Sequence, residues 1–434
     1  MSLVNTNSSS SPVRIALLGY GTVGSALHRV LVEHREHIQH ATGREVHVVA
    51  ALVRSITTPR SGIAGSRMML FDEPNSIFSA KPDIICEAMG GTELPRELVL
   101  RALEAGIPVV TANKQLVARH GAELFAAAAA NDVQLRFEAS VCAAIPVVRM
   151  LRESLVPARI DRVLGILNGT SNYILTSMSS RGSEFTDALQ QAQELGYAEP
   201  DPTDDLSGSD VAAKLAILAS IAFHTRVTPE SIDQRGIDHI TADDIDHAST
   251  FGFRIRMIGR SQRTSEDEIL ASVSPMLIPA DHPLSAVMGA TNAVMVQGHP
   301  CGRLIVQGPG AGGPETASAL AGDIVGVLGS TPSFLTHDPH VHDMQIADPE
   351  SLLERHYVRM QVRDQPGVLA TVATHFAERN ISIERVIQRR SSTAGIATLV
   401  MLTHPAPRDH IEAAAHASAT PENVMVIPVL DDAS

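Results

Sequence analysis

Cysteine is scarce in this chain. Cys86, Cys142 and Cys301 are the only three in 434 residues, too few and too scattered for a disulfide framework or a structural zinc site. A reducing, cytoplasmic setting is the expectation. Positive charge is in deficit, and the formal net charge of −14 argues against nucleic acid or an anionic membrane as partner. No run approaches the roughly 20 apolar residues of a membrane-spanning helix. Residues 1–12 are rich in Ser and Asn and lack an apolar signal core, so they read as a disordered tail outside the fold. Against these absences stand 44 % apolar residues, enough for sizeable cores, and a length suited to about two to four domains.

The stretch from Gly196 to Ala219 sets ionisable groups against an apolar helix. Glu199, Asp201, Asp204 and Asp205 lie in a Pro-punctuated loop, and helical periodicity then runs from about Ser209 through Val211, Leu215, Leu218 and Ala222. Between Val211 and His224 the only charged residue is Lys214, four positions after Asp210. The two side chains therefore project from one helical face about one turn apart. A solvated i,i+4 ion pair would be worth only ~0.2–0.5 kcal/mol. An ammonium on so apolar a helix must instead lie at a crevice, be paired or lower its pKa, and such a lysine can exchange protons with an alcohol or carbonyl.

Order begins at the apolar run Val13–Leu18, which breaks at Gly19, Gly21 and Gly24, with Tyr20, Thr22 and Val23 between them, and becomes a helical pattern. Glycines at this spacing, after a strand and before a helix, let the backbone approach a pyrophosphate that faces helix N-terminal amides. The next strand, Val46–Val53, ends in Arg54, with no acid before Asp72. A cation where a ribose-binding acid would sit suits a 2′-phosphate and favours NADP over NAD. Strands at Asp83–Glu87, Pro108–Thr111 and Gln134–Glu138 follow, alternating with helices, which implies an α/β, doubly wound, mostly parallel sheet. Loops after the strands should line the cofactor crevice, placing Gly91, Thr92 and Lys114 near the nicotinamide end.

GYGTVG at 19–24, TANK at 111–114, EASVCAAIP at 138–146, GILNGTSNYIL at 165–175 and the 196–214 stretch resemble, in that order and spacing, the homoserine dehydrogenase family. The resemblance covers about residues 13–330 and implies NAD(P)-linked interconversion of L-aspartate 4-semialdehyde and L-homoserine, on the route to threonine, isoleucine and methionine. It implies a Rossmann-type dinucleotide domain at 13–139, completed by 308–330, and an α+β substrate and dimerisation domain at 140–307. By the same resemblance Lys214 donates and accepts the proton, and Asp210 orients it or hydrogen-bonds the reacting oxygen. Glu199 binds the substrate ammonium, Asp205 fixes the polar network, and Lys114 serves cofactor and substrate. Gly310 and Gly312 belong to a turn that closes over the cofactor. Glu138 with the carbonyls of Val141, Ala143 and Ile145 matches a monovalent cation site for an ion such as Na+. Where the family commonly has two glycines this chain reads Cys142-Ala143-Ala144, which restricts φ.

Residues 331–356, with His337, His340 and His342, read as a solvated linker. From Tyr357 the pattern is βαββαβ over 357–434, and DQPGVLATVATHFAERNISIERVIQRR resembles an ACT domain. That resemblance puts an amino-acid effector, with threonine as end product, near Asp364, Gly367, Asn380 and Ile381, between paired modules of a homodimer or homotetramer. Fewer than 20 residues precede the nucleotide fold, so the expectation is the monofunctional enzyme, not an aspartokinase fusion. Two other readings are another ACT-bearing dehydrogenase, acting on prephenate or phosphoglycerate, and a sensor that binds nucleotide and amino acid without turnover. EPDPTDD followed by GSDVAAK speaks against the first, and retention of Asp210 with Lys214 against the second.

Overall fold

The computed structural model describes residues 11–60, 68–329, 342–390, 395–420 and 423–431. Short apolar runs, several of them followed by a turn and a helix, build the first sheet. Its strands are β1 (Val13–Leu18), β2 (Val46–Leu52), β3 (Met69–Phe71), β4 (Ile84–Glu87), β5 (Val109–Thr111) and β6 (Leu135–Arg136), with helices α1 (Thr22–Glu33), α2 (Arg35–Thr42), α3 (Glu93–Glu104) and α4 (Lys114–Ala130). The strand order is β3-β2-β1-β4-β5-β6 and every pair is parallel. Ile15 and Leu17 pack into one core while Ala16 and Leu18 pack into another. Burial on both faces explains why these strands read as continuous apolar runs. The order reverses between β1 and β4, and the crevice beyond their carboxyl ends is where such sheets take ligands.

The strand expected at 134–138 is shorter in the structure. β6 has two residues, and Glu138–Ser140 forms a single 3-10 turn. The Glu138 N–H donates to the Asp323 carboxylate at 2.8 Å rather than to a neighbouring strand. Ser140 Oγ closes the turn by donating to Phe137 O at 2.6 Å.

The second sheet and its cover comprise α5 (Val147–Arg149), β7 (Arg159–Ile166), α6 (Gly169–Arg181), α7 (Phe185–Glu194), α8 (Thr203–Ser207), α9 (Ser209–Phe223), β8 (Asp233–Gln234), α10 (Ala242–Thr250), β9 (Phe253–Arg263), β10 (Glu268–Pro279), β11 (Thr291–His299) and β12 (Gly302–Pro309). Helix α11 (Gly313–Gly329) returns to the first sheet, where Ala317, Leu320 and Ile324 share a core with Ile15, Leu17 and Leu27. β13 (Gln345–Ile346) then pairs with β10, giving the order β12-β11-β7-β9-β10-β13, with β8 also on β10. Helix α9 is buried from Asp210 through Phe223. Gly259 on β9 admits it, since a β-carbon there would meet Val211 Cγ1 at 3.0 Å.

Part of the stretch expected as solvated linker is thus structural, because Met344 and Ala347 are buried against this sheet. His342 donates its N–H to His224 O at 2.6 Å, while His337 and His340 lie outside the described residues.

The third sheet holds β14 (His356–Arg363), α12 (Val368–Ala377), β15 (Ile383–Arg390), β16 (Ile396–Thr403), α13 (Arg408–His416) and β17 (Val424–Pro428). The order β15-β16-β14-β17, antiparallel throughout, is the expected split βαββαβ topology. It docks on the second sheet through Asp244 of α10, which is fully buried and accepts Tyr357 Oη at 2.9 Å and Arg359 Nε at 2.6 Å. Among the described residues no helix is long and apolar enough to cross a membrane. Truncating Asp244 to alanine would strand the Arg359 guanidinium and remove the Thr241 capping box. Denaturant unfolding is expected to show a loss on the order of 3–5 kcal/mol, and a loss under about 1 kcal/mol would contradict this docking role.

Candidate active site

The glycine turn sits at the carboxyl end of β1. Gly19 has φ 102°, and a β-carbon there would come within 2.7 Å of Ala88 O. At Gly24 a β-carbon would collide with Gly19 O, so the turn and the start of α1 pack too tightly for any side chain. Gly21 differs, since nothing lies within 4 Å of its β-carbon position and it leads directly into α1. Thr22 is exposed, Val23 half-buried, and the first turn of α1 carries no acid. This open helix N-terminus fits the pyrophosphate of a dinucleotide.

Gly19 N–H donates to Leu52 O at 3.1 Å, so β2 ends beside the glycine turn, and Arg54 leaves it exposed, with no hydrogen-bond or ion-pair partner among the described residues. Arg60 folds onto its own loop through Ser55 O and Thr58 O. Gly91, at φ 81°, and the half-buried Thr92 follow β4 along the same edge. The turn after β12 approaches from the other side. A side chain at Gly310 would collide with the Asn292 amide, Gly312 has φ 130°, and a β-carbon at Gly313 would lie 2.9 Å from Thr22 Cγ2.

Asp210 lies where the two sheets meet. It stands in the first turn of α9 and its carboxylate is 7 % exposed. Lys214 Nζ, one turn on, donates to Asp210 Oδ2 at 2.7 Å and to Leu167 O at 2.7 Å. Lys114 Nζ, from the first residue of α4, reaches Asp210 Oδ1 at 2.8 Å and is the solvent-facing member, 36 % exposed. Asn168 caps α6 by accepting the Ser171 N–H at 2.8 Å, while its Nδ2 donates to Asp205 Oδ1 at 2.6 Å and Asp210 Oδ2 at 2.9 Å. Cys142 lies near Lys214 and accepts from Asn292 Nδ2 at 3.4 Å.

Burial alone would raise the Asp210 pKa, but the Lys214 and Lys114 charges outweigh it and hold the group well below the carboxylate range. Burial pulls the Lys214 pKa down, and the Asp210 charge reverses this to leave it above the usual lysine value. Burial raises the Asp205 carboxyl despite its bond from Asn168. Of the three outcomes open to a lysine on an apolar helix, pairing prevails. A lysine has three N–H donors, and Leu167 and Asp210 engage two of them.

Glu138 Oε1 and Oε2 accept the N–H groups of Val148 and Arg149 at 2.8 and 2.7 Å, and burial, then the Asp323 charge, pushes its pKa up to about 7. Cys142 and Ala143 adopt φ of 54° and 40°, so the turn bends without glycine, at roughly 1–2 kcal/mol per residue. The carbonyls of Val141 and Ala143 accept no hydrogen bond among the described residues, whereas Ile145 O takes the Val147 N–H at 2.8 Å. Carboxylate and carbonyl oxygens on a sharply bent turn are a hard donor set that fits a monovalent cation.

Other expected site residues are not gathered here. The Glu199 side chain is exposed and outside the cluster, though Tyr197 O, two residues earlier, accepts Thr170 Oγ1 at 2.6 Å. Asp364 and Gly367 precede α12, while Asn380 and the buried Ile381 follow it, so one chain separates them by about 15 Å of helix. Sequence reasoning overlooked the bridging role of Asn168 and the capping role of Asn113. Both follow a strand and open a helix, which is the N-cap signal.

A glycine turn in a parallel sheet, a lysine-clamped carboxylate on a helix of the second unit and an appended ACT-like sheet define a nicotinamide-linked oxidoreductase. Family models described as "Homoserine dehydrogenase, NAD binding domain", "Homoserine dehydrogenase" and "ACT domain" match residues 19–138, 146–325 and 356–419. The chain belongs to the homoserine dehydrogenase family. A homoserine dehydrogenase of Corynebacterium glutamicum is 43 % identical over 406 residues, 91 % of this chain and 90 % of that one. The crystal structure of a homoserine dehydrogenase from Thiobacillus denitrificans is similar with a TM-score of 0.90 at 38 % identity, covering 97 % of this chain and 99 % of that one. A hyperthermophilic archaeal homoserine dehydrogenase in complex with NADPH gives a TM-score of 0.62 at 29 % identity over 73 % of this chain and 98 % of that one.

Glu87, fully buried at the end of β4, carries a testable pH signature. Burial pushes its carboxyl up to about 7, against hydrogen bonds from Thr111, Met89 and Asn113 that pull it down. Between about pH 4.5 and 7 the unfolded chain has lost this proton and the folded chain keeps it, so Glu87 makes stability fall as pH rises. The stability of wild type minus that of Glu87→Gln should decline by on the order of 3 kcal/mol from pH 5 to 8 in denaturant titrations. A difference that stays constant or rises would contradict the assignment.

Proposed function

We propose that this chain interconverts L-aspartate 4-semialdehyde and L-homoserine with Lys214 as proton donor and acceptor, Asp210 as the group that orients it, and NADP as the preferred cofactor. The observation that carries the reading is Asp210 held between Lys214 of α9 and Lys114 of α4. The bound nicotinamide supplies the hydride in reduction and takes it in oxidation. Lys214 uses its third N–H toward the reacting oxygen, giving a proton as the aldehyde becomes an alcohol and recovering it in reverse. Lys114, at the cofactor edge, adds positive charge where the oxygen gains negative charge. Asp205 and Asn168 fix the polar network, and Glu199 binds the substrate ammonium from the loop beyond Tyr197.

Gly19, Gly21, Thr22, Val23 and Gly24 would hold the pyrophosphate, Arg54 the 2′-phosphate, and Gly91, Thr92, Gly310 and Gly312 the walls of the crevice. Glu138 with the carbonyls of Val141, Ala143 and Ile145 would hold a monovalent cation such as Na+. Residues 13–139 with 308–330 form the dinucleotide unit, 140–307 the substrate and dimerisation unit, and 357–434 the regulatory unit. Threonine is the proposed effector, and its residues on either side of α12 call for a second copy of the chain in a homodimer or homotetramer.

Initial rates at the nicotinamide band, with L-homoserine and NADP+ or NAD+, test the whole reading. Turnover faster with NADP+ and slowed by L-threonine is expected; a preference for NAD+ would remove the role of Arg54, and indifference to threonine that of the effector. No turnover in either direction, in folded protein, would favour the sensor reading. Lys214→Met is expected to lower kcat about 10²–10⁴-fold. The raised Lys214 pKa implies that homoserine oxidation, which needs neutral lysine, keeps rising toward pH 10, while reduction retains its donor over that range. An oxidation rate already level at pH 7 would contradict Lys214 as base.

A further inference from the structure

Glu87 touches none of the groups around Asp210, yet it holds the turn from which Lys114 springs. Its backbone carbonyl accepts the Ala112 N–H at 3.0 Å. Its Oε2 accepts the Thr111 hydroxyl, and its Oε1 accepts the Met89 N–H at 2.8 Å and Asn113 Nδ2 at 3.5 Å. The Thr111 hydroxyl in turn accepts the Asn113 N–H at 3.0 Å. Asn113 then completes the tie in two directions, donating Nδ2 to Gly91 O at 2.8 Å and accepting the Leu116 N–H at 3.1 Å as N-cap of α4. Lys114 is the next residue.

Three donors from two loops converge on this side chain, and above about pH 7, where Glu87 is ionised, it offers acceptors on both oxygens with no O–H or N–H of its own. An amide would turn its NH2 toward one of those donors. The Glu87 carboxylate therefore fixes both the loop after β4 and the rotation of the first turn of α4. That rotation aims Lys114 Nζ at Asp210 Oδ1, 2.8 Å away across the meeting of the two sheets.

We infer that Glu87 is the positioning residue for Lys114, setting the lysine against Asp210 through Thr111 and the Asn113 cap. The inference rests on the role proposed above for Lys114 in turnover. Its test is a double-mutant cycle in the full chain, with Glu87→Gln and Lys114→Ala made singly and together. Homoserine oxidation supplies kcat and KM, and NADP+ affinity is measured by quenching of the protein's tyrosine fluorescence. In the wild-type background Glu87→Gln is expected to lower kcat about 10-fold or more, with NADP+ affinity within about threefold. In the Lys114→Ala background the same change should cost less than about twofold, because the group it positions is gone.

An equal loss in both backgrounds, or a collapse of NADP+ affinity matching the loss of rate, would show that Glu87 acts on the sheet or the cofactor and would overturn the inference. A costly Lys114→Ala with a silent Glu87→Gln overturns the inference alone. A silent Lys114→Ala overturns the role of Lys114, and the inference with it. Should Glu87→Gln fail to fold by thermal unfolding, Thr111→Val replaces it in the same cycle. That variant deletes only the hydroxyl tie and is judged by the same loss of effect without Lys114.

Discussion

A carboxylate sealed from water costs several kcal/mol unless cations meet it, and Asp210 meets two. Lys214 reaches it from its own helix and Lys114 from the first residue of α4, so one buried charge binds an element of the parallel sheet to an element of the mixed sheet. Removing either lysine would leave the buried carboxylate with a single cation, which makes the relative position of the two sheets an electrostatic matter as much as a packing one. The lysines differ in exposure, 11 % against 36 % for the side chains, which grades the cluster from a buried end to a solvent-facing end.

Around that cluster each support comes from a different level of structure. The apolar face of α9 fixes where Asp210 and Lys214 point, because the helix is buried from Asp210 onward. Two N-cap asparagines, Asn113 and Asn168, each stabilise a helix start and also reach into the polar groups beside it. Farther back, Asp323 of α11 accepts the Glu138 N–H and pairs with Arg149 at 3.1 Å. That contact joins the returning helix to the turn leading into the second sheet. The third sheet is tied on by a second buried carboxylate, Asp244, clamped by Arg359 and Tyr357. Buried acid met by donors from another sheet is thus the recurrent way this chain joins its parts.

Much of this was legible before any coordinates. Strands of the first sheet showed as short apolar runs because both sheet faces are covered, and Asp210 and Lys214 showed as an i,i+4 pair because a helix has a fixed period. β6 was overextended because Gln134 and Phe137 are buried like strand residues, while the Glu138 amide is taken by Asp323, 185 residues away in sequence. Glu199 reads in sequence as part of one acidic loop with Asp205, yet Asp205 turns inward to Asn168 and Glu199 stays exposed. Nothing in the composition separates the two, but Asp205 lies on α8, where it meets Asn168, and Glu199 precedes that helix.

By itself the sequence determined the three-sheet order, the glycine turn and the helical pairing of Asp210 with Lys214, because each depends on spacings of a few residues along one element. The tertiary structure alone decided that Lys114 shares the Asp210 carboxylate, that Asn168 bridges Asp205 and Asp210, and that Glu87 gathers donors from two loops. Apart from the Met89 N–H on Glu87, those contacts join residues from tens to nearly a hundred positions apart, and their geometry follows from how whole sheets pack, which no local period records.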